Sequence, residues 1–260
     1  MKGLINIRNK IRMFSDEDRS GPSYFKFKKY LGYAIGEVIL LVFGIMIALY
    51  FNNLNELKRT RVTEIKILME IQTNLDNTKE VFERALESEN RYLQYNELIL
   101  DYLDNKKPYS DSLDIAFGTY FWTISANPLI GGYEYLKDKG LSIISNDTLR
   151  QKISYMFESE FKIIKEENEI WTNNMQMIIS YPYHITHFRK YFPPNVKQGD
   201  DEYAKPLDYN FLVEDEKFKN INAELISIRN WNNQSFRQII VSVGALSNEI
   251  ENEIIRLNKK

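Results

Sequence analysis

The sequence has no cysteine among its 260 residues, and glycine and proline are scarce. Without cysteine the chain has no disulfide framework, no thiolate zinc site, no iron–sulfur cluster and no cysteine nucleophile. With only 11 glycines and 7 prolines, an all-β protein with its many turns is disfavoured. The phosphate loops GxGxxG and GxxxxGK[ST] are missing as well. These absences exclude the common nucleotide, cofactor and thiol enzymes, and we expect no cofactor.

Charge is distributed unevenly along the chain. Residues 1–30 contain eight Lys/Arg and three Asp/Glu, whereas residues 52–260 contain 26 Lys/Arg and 32 Asp/Glu. General nucleic-acid binding needs a basic face that displaces phosphate counterions, so we expect no nucleic-acid partner for the large acidic part. Between the two parts lie residues 31–51, whose one charge is Glu37.

Residues 31–51 are predicted to form a transmembrane helix that is retained in the mature protein. Twenty-one helical residues span about 31 Å, close to the thickness of the hydrocarbon core of a bilayer. Tyr33, Tyr50 and Phe51 lie at the ends of this run, where aromatic rings favour the membrane interface. Cleavage as a signal peptide is disfavoured because Leu49-Tyr50-Phe51 offers no small-residue site.

The charges that flank the apolar run predict its orientation. Three lysines within 26–29 precede the run, and the cations that follow it are diluted by Glu56 and Glu64. By the positive-inside rule we expect residues 1–30 in the cytoplasm and residues 52–260 in the periplasm, with the chain in a bacterial inner membrane.

The N-terminal segment has its own pattern. Leu4, Ile7, Ile11 and Phe14 recur at helical spacing between basic residues. Such a pattern is typical of a basic amphipathic helix on the anionic inner leaflet. A disordered basic tail is the alternative.

Small residues recur at multiples of four within the run, as Gly32, Gly36, Gly44 and Ala48. Pairs of this kind let helices approach closely in lipid. Glu37 falls on the same face, and a carboxyl group in lipid is costly unless it is neutral, paired or near the interface. The pattern predicts self-association, with Glu37 in helix packing or hydrogen bonding. A wetted position near the cytoplasmic surface and a proton-coupled role are the alternatives.

A polar cluster follows the run directly and comprises Asn52, Asn53, Asn55 and Glu56. Side chains of this kind just outside the bilayer would cap or cross-link helices in an oligomer. Ordinary polarity at the membrane interface is the alternative.

One stretch of the sequence is distinctive: it reads Tyr33-Ala-Ile-Gly-Glu-Val-Ile-Leu-Leu-Val-Phe-Gly-Ile-Met-Ile-Ala-Leu49, then Asn52-Asn53-x-Asn55-Glu56. It resembles a family of single-span membrane proteins of unknown function that is widespread in Bacteroidetes. Residues 24–70 carry the specific match; a weaker signature comprises Tyr135-Leu136 through Gly140, Ile144-Ser-Asn146 and Leu149-Arg150. The resemblance implies a basic tail, one span and a long helical remainder, with no assigned activity. Tyr50-Phe51 departs from the polar or aliphatic residues of many relatives.

The exported part is predicted to be an all-α, antiparallel bundle of long helices at about 54–104, 147–190 and 216–257. Apolar residues recur every three or four positions in each of them. In the first, this stripe is interrupted by Gln72, Lys79, Glu89 and Asn96. Three long helices joined by short ones favour an antiparallel bundle.

Several residues mark the expected ends of these elements. Asn146 or Asp147 is expected to cap the second long helix, and Pro182 to kink or end it. Residues 141–144 are expected to form a brief strand or an extended turn. Residues 193–215, with three prolines, are predicted to be the longest irregular stretch.

The chain's two histidines, His184 and His187, are three residues apart and thus on one helical face. Such a pair can supply two metal ligands. However, there is no HExxH motif and the neighbours are aromatic, so structural or interfacial use is favoured and no metal site is predicted.

An aromatic and basic patch surrounds the histidines: it comprises Tyr181, Tyr183, Arg189, Lys190 and Tyr191. If the first long helix leaves the membrane and the second returns to it, this patch would lie near the outer leaflet. Tyrosine and basic side chains suit that interface.

Catalytic signatures are otherwise missing, because there is no GxSxG elbow and the carboxylate pairs belong to long helices where they are usually solvated. The sequence predicts a non-enzymatic single-pass inner-membrane protein whose periplasmic bundle assembles with itself or another envelope protein, with the lipid bilayer as its other partner. Two alternatives are a sensory or ligand-binding ectodomain acting through a partner, and a subunit of a proton-coupled complex that uses Glu37.

Overall fold

The computed structural model describes residues 23–167, 170, 173–193 and 202–259, with side chains from residue 30 onward. The amphipathic segment predicted at residues 4–14 lies outside the described residues. Helices account for 83% of the structure, so the predicted all-α class is correct in the main. The chain divides into two units, Met1–Thr60 and Arg61–Lys260.

The first long helix, α1, comprises Ser23–Asp104. The apolar run and the helix predicted after it are therefore one element, because neither glycine nor proline occurs between Gly44 and Pro108. α1 ends where Lys106 adopts a left-handed backbone conformation (φ 45°). Pro108 then prevents the helix from continuing.

Within the second unit, α1 packs antiparallel to the last helix, α8 (Glu216–Asn258), which Asp215 caps. Asp76 accepts a hydrogen bond from Ser247 at 2.7 Å. Further along α1, Asp104 lies 3.8 Å from Lys219 of α8. We call the end that contains Arg61 the near end of this unit and the end that contains Asp104 its far end.

A short helical segment and an extended chain make the return from the far end. Ser110 caps a 3-10 turn, Asp111–Leu113, and α2 follows as Asp114–Thr119. The chain then runs back along α1, since the Leu129 amide donates to Thr78 Oγ1 at 2.9 Å. α3 (Gly131–Lys139) completes the return.

α3 approaches α1 very closely at Gly132. Its amide donates to Asn74 Oδ1 at 2.6 Å, and a Cβ atom at Gly132 would lie 2.9 Å from the Ile71 backbone nitrogen. α3 ends at Gly140, whose φ of 92° favours glycine. Residues 141–144, predicted as a strand or extended turn, instead contain a 3-10 turn, Leu141–Ile143.

The second helical stretch is divided into several elements. They are α4 (Asp147–Tyr155), a π-helix at Met156–Glu160, α5 (Phe161–Glu167), a π-helix at Met175–Ser180, and α6 (Tyr181–His187). Asn146 caps α4, as predicted, by accepting from the Leu149 amide. Pro182 lies in the first turn of α6, the position at which a missing N–H is tolerated.

The direction of these α4–α6 segments corrects the prediction. α4 begins at the near end, where Glu64 accepts from the Ser145 amide at 2.7 Å, and α6 packs at the far end against Phe218. They are thus parallel to α1, because residues 123–139 have already made the return. α8 is antiparallel to α1 and also to α4–α5, since Lys152 pairs with Glu249 and Glu160 accepts a hydrogen bond from Ser242. The predicted antiparallel arrangement fails only between α1 and the α4–α6 segments.

The helix predicted to reach residue 190 ends at His187, where the chain becomes extended. β1 (Phe188–Tyr191) pairs antiparallel with β2 (Tyr203–Pro206), and α7 (Tyr209–Glu214) follows. The stretch predicted to be irregular therefore contains both β2 and α7. β2 lies so close to α2 that a Cβ atom at Gly118 would be 1.9 Å from the Glu202 carbonyl oxygen.

The core of the second unit has two apolar clusters, one toward each end. The near-end cluster includes Ile67, Leu68, Leu149, Ile250 and Leu257. The far-end cluster includes Leu103, Phe117, Tyr120, Phe188 and Phe218. Buried polar residues of α1 and α8 lie between them in sequence, and they form one of the candidate sites below.

Candidate functional site

The apolar run is exposed throughout. Every residue of 31–51 is open to the surroundings apart from Gly36, which is partly covered. Among the described residues this is the one helix that is long and apolar enough to cross a bilayer, judged by length and composition. A contiguous exposed apolar surface of this size marks a site of contact with a membrane or with another protein.

The predicted packing residues lie on this exposed helix. A Cβ atom added at Gly32, Gly36 or Gly44 would meet nothing within 4 Å. Glu37 and Ala48 are exposed as well. The helix therefore presents a narrow face of small residues with room for another helix, and the carboxyl group of Glu37 lies beside it. The polar cluster at 52–56 continues the same exposed helix.

A buried ion pair joins α1 to α8 in the second unit. Arg229 Nη1 lies 2.6 Å from Glu89 Oε2, and both side chains are almost fully buried. The Arg229 guanidinium also donates to the Tyr120 and Trp122 carbonyl oxygens at 3.0 and 2.7 Å. Burial lowers the pKa of Arg229, and the Glu89 carboxylate opposes that shift.

Amides complete this polar layer. Arg229 Nε donates to Asn96 Oδ1 at 2.8 Å, and the Asn96 amide donates to Asn222 Oδ1 at 3.0 Å. The second Glu89 oxygen accepts from Asn232 at 2.9 Å. With partners on both sides, these groups are suited to holding α1, α8 and the Tyr120–Trp122 turn in one register.

Sequence reasoning treated Glu89 and Asn96 as interruptions of an apolar stripe and did not single out Arg229 or Asn222. A signal was present, because Glu89 and Asn96 are seven residues apart, and so are Asn222 and Arg229. Polar residues that recur every seven positions within an apolar stripe are typical of buried polar layers between paired helices.

A second polar contact holds the near end together. The Glu64 carboxylate, itself buried, accepts from the Ser145 amide and hydroxyl at 2.7 and 2.8 Å. Asn146 donates to Glu253 Oε2 at 3.3 Å, and Arg256 pairs with Glu253. Carboxylates of α1 and α8 thus hold the turn that begins α4.

The two histidines have different surroundings. His184 is 1% exposed and packs between aromatic rings, with centroids 4.4 Å from Phe121 and 5.2 Å from Phe188. Neither of its ring nitrogens has a hydrogen-bond partner. Burial, assisted by Lys190, lowers the pKa of His184 to about 4.

His187 instead stacks on the Tyr183 ring at 4.0 Å, and its Nδ1 lies 2.9 Å from the Tyr183 carbonyl oxygen. Within the described ranges, no group of three His, Cys, Asp or Glu residues is placed to hold a metal ion. Both imidazoles thus pack against aromatic rings.

The aromatic and basic patch is not one surface. Tyr183 is buried and donates to Asp215, while Tyr191 donates to the buried Asp114 at 2.5 Å. Lys190 pairs with Glu202. Arg189 and Tyr181 are exposed, although the Tyr181 ring also packs against Phe121.

The premise for placing this patch near the outer leaflet is wrong. The prediction required the second long helix to return toward the end at which α1 enters the unit. α4 begins at that near end, so residues 181–191 lie at the far end, about 50 Å further along α1 at a rise of 1.5 Å per residue.

Comparison of the chain with protein-family models, with curated proteins and with solved structures finds no match. The resemblance to the Bacteroidetes family therefore stays a prediction, and functional inference depends on the physical features described above.

Proposed function

We propose that the chain is a non-enzymatic single-pass membrane protein that uses residues 31–51 as its span and residues 52–260 as a helical assembly module. One observation carries this proposal: a 21-residue apolar helical segment is exposed and uncovered by the rest of the described chain. Exposing so much apolar surface to water would be costly, at about 25 cal/mol per Å². A bilayer removes that cost.

The same proposal assigns a bacterial inner membrane, with residues 1–30 in the cytoplasm and residues 52–260 in the periplasm. It is supported by the excess of Lys/Arg over Asp/Glu before the span and the reverse excess after it. Because the chain has no cysteine, its exported part would fold in that compartment without forming disulfides.

The span is proposed to self-associate through the face that carries Gly32, Gly36, Gly44 and Ala48. Open space around the three glycines would let a second helix approach closely. Glu37 would then lie at the helix–helix contact, where hydrogen bonding to a neighbouring helix offsets the cost of a carboxyl group in lipid.

The second unit supports a scaffolding role rather than catalysis. Its buried ionisable groups Glu64, Glu89, Arg229 and Glu253 have partners within the fold, and its histidines are held among aromatic rings. A rigid module of this kind would present surfaces to a second copy or to another envelope protein.

The assembly claim is tested by enlarging the small residues of the span. We expect Gly36→Leu and Gly44→Leu together to lower the protein mass of the purified full chain in detergent micelles, measured by light scattering, because the contacts between spans are lost. Val38→Leu with Val42→Leu, on the opposite side of the helix at about 100° per residue, is the matched control and should leave the mass unchanged. A monomeric wild-type chain would overturn the claim.

A further inference from the structure

His184 in α6 is a buried titratable side chain without a polar partner. It is 1% exposed, and its two ring nitrogens have no hydrogen-bond partner among the described residues. Its ring packs among Phe121, Phe188 and Tyr120, with centroids 4.4, 5.2 and 5.8 Å away. A buried polar group is almost always hydrogen-bonded, so this exception calls for an explanation. We call the packing of His184 against these three rings the latch.

The latch joins two parts of the far end. Tyr120 and Phe121 belong to the turn that follows α2, whereas Phe188 is the first residue of β1. His184 therefore lies between this turn and the hairpin formed by β1 and β2. The Phe188 ring also packs on Phe117 of α2, with centroids 5.1 Å apart. Ring packing thus holds the hairpin against α2 and the turn.

The turn and α6 are anchored to the rest of the second unit by polar contacts. Arg229 of α8 donates to the Tyr120 and Trp122 carbonyl oxygens at 3.0 and 2.7 Å. Tyr183 of α6 donates to Asp215, which caps α8. The backbone pairing of the hairpin is internal, between β1 and β2, so it is kept when the hairpin moves as a whole. When the latch opens, the hairpin is therefore the part that moves, with the end of α6 as its hinge.

The charges around the latch disfavour a second cation. Lys190 of β1 lies with its Nζ 5.8 Å from the centroid of the Phe121 ring, on which His184 also packs. Burial and, to a lesser degree, Lys190 lower the pKa of His184 to about 4. Burial also raises the pKa of Tyr120 well above its usual value, so the Tyr120 hydroxyl stays neutral.

Carboxylates around the hairpin and α6 are engaged by other groups. They pair as follows: Glu202 with Lys190, Asp215 with Tyr183, Asp111 with Lys205, and Asp114 with Tyr109, Tyr191 and Lys205. A protonated His184 would thus be buried among rings, near one cation and without a carboxylate among its described contacts. That state is costly, and the cost is relieved when water reaches the ring.

We propose that the latch is an acid-sensitive switch: protonation of His184 releases the hairpin from α2 and uncovers apolar residues of the far-end cluster, while the near-end cluster stays packed. Histidine suits this role because its charge changes near neutral pH when the ring is hydrated. The near-end cluster lies beyond the buried polar layer along α1 and α8. The switch goes beyond the proposed function, since it needs neither the span nor assembly.

Linkage gives the expected size of the effect. A hydrated histidine has a pKa of about 6.5, and His184 in the closed latch has a pKa of about 4. The open form therefore binds more protons between these values, and the latch is at full strength above pH 6.5. Lowering the pH from 7.5 to 5 should raise the ratio of open to closed form about 30-fold.

Single cysteines report on the opening, because the chain has no cysteine of its own. The full chain in detergent carries Ala204→Cys in β2 or Ala116→Cys in α2, both buried in the far-end cluster. Labelling uses a dipyridyl disulfide, which reacts with thiols at acid and neutral pH. Rates are expressed relative to Glu87→Cys, on an exposed position of α1, at the same pH. Ala85→Cys, buried in the near-end cluster, is the matched control for unfolding of the whole unit.

We expect the relative rates at Ala204→Cys and Ala116→Cys to rise about 30-fold between pH 7.5 and pH 5. At pH 5 both should react at least about tenfold faster than Ala85→Cys, because local opening costs less free energy than unfolding of the whole unit. Adding His184→Leu should abolish the rise at the far-end cysteines, whereas adding His187→Gln should retain it.

Three results would overturn the switch. One is a relative rate at the far-end cysteines that does not change between pH 7.5 and pH 5. Another is equal labelling of Ala204→Cys, Ala116→Cys and Ala85→Cys at pH 5, since the whole unit would then unfold together. The third is an undiminished rise in the presence of His184→Leu, which would assign the pH dependence to other groups.

Discussion

Arg229 of α8 and Glu89 of α1 form an almost fully buried ion pair 140 residues apart in sequence, with Nη1 2.6 Å from Oε2. Further hydrogen bonds surround the pair. Arg229 donates to the Tyr120 and Trp122 carbonyl oxygens and to Asn96, and Glu89 accepts from Asn232. Apolar clusters lie on either side of this layer along α1 and α8. The pair therefore specifies how the first and last helices of the second unit are aligned.

Removing one partner of the pair should destabilise the fold much more than removing both. We expect Arg229→Met to destabilise the fold by about 3–5 kcal/mol, because Glu89 is left buried without a cation. Its melting temperature should fall by roughly 6–20 °C, measured by circular dichroism on the full chain in detergent. The double variant Glu89→Met with Arg229→Met should lose less stability than Arg229→Met alone.

The control for this prediction is an exposed arginine of the same helix bundle. Arg84 lies 3.6 Å from Glu80 with both side chains more than half exposed, so Arg84→Met should cost about 0.5 kcal/mol or less. If Arg229→Met were equally mild, the buried pair would not hold α1 and α8 in register.

Two neighbouring glycines allow a matched test of the contact between α3 and α1. Gly132→Ala would place a methyl group 2.9 Å from the Ile71 backbone nitrogen, so α3 must move, at a cost of about 1–3 kcal/mol. At Gly131 the nearest atom would be 3.6 Å away. Gly131→Ala should therefore be neutral or slightly stabilising. Equal melting temperatures for the two variants would contradict the close approach.

The buried imidazole of His184 predicts an acid-sensitive fold. Its pKa is about 4 in the folded protein and about 6.5 when unfolded, so the unfolded state binds more protons between these values. Stability is complete above pH 6.5 and is lost as the pH falls toward 4. At pH 5 the loss should be about 2 kcal/mol relative to pH 7.5.

The measurement for His184 is the change in melting temperature between pH 7.5 and pH 5. His184→Leu should reduce that change by roughly 4–8 °C relative to the wild-type chain, whereas His187→Gln should retain it. The same pH dependence in wild type and His184→Leu would show that other groups cause it.

Much of the local structure follows from short-range patterns in the sequence. Apolar spacing predicts the end of α1 and both ends of α8 to within a few residues, and Asn146 caps α4 as expected. These features depend on contacts within a turn or two of helix, which a sequence displays directly.

The direction of the α4–α6 segments could not be predicted in this way. The sequence of residues 123–130 has no local signal that this extended segment returns to the near end. The segment is held in place by long-range hydrogen bonds to Thr78 and, just beyond it, to Asn74. The same is true of β1, which is extended because it pairs with β2. Long-range partners decide these elements, and local propensity is a weak guide to them.

The candidate sites differ in the same way, between those visible within one helix and those that depend on a distant partner. Gly36, Gly44 and Glu37 were found from spacing within one helix, and they lie on its uncovered part. Arg229 was missed because its meaning depends on Glu89, 140 residues earlier in the sequence. A charged residue in an apolar stripe looks like a surface residue until its partner is known.

Accessibility of single cysteines tests the central claim, a single span with residues 52–260 exported, most directly. Val62→Cys, at an exposed position of α1, and Ser15→Cys would each be treated in intact cells with a small membrane-impermeant maleimide. The account predicts that Val62→Cys is labelled in intact cells and that Ser15→Cys is labelled only after the cells are lysed. Labelling of Ser15→Cys in intact cells, or of Val62→Cys only after lysis, would contradict it.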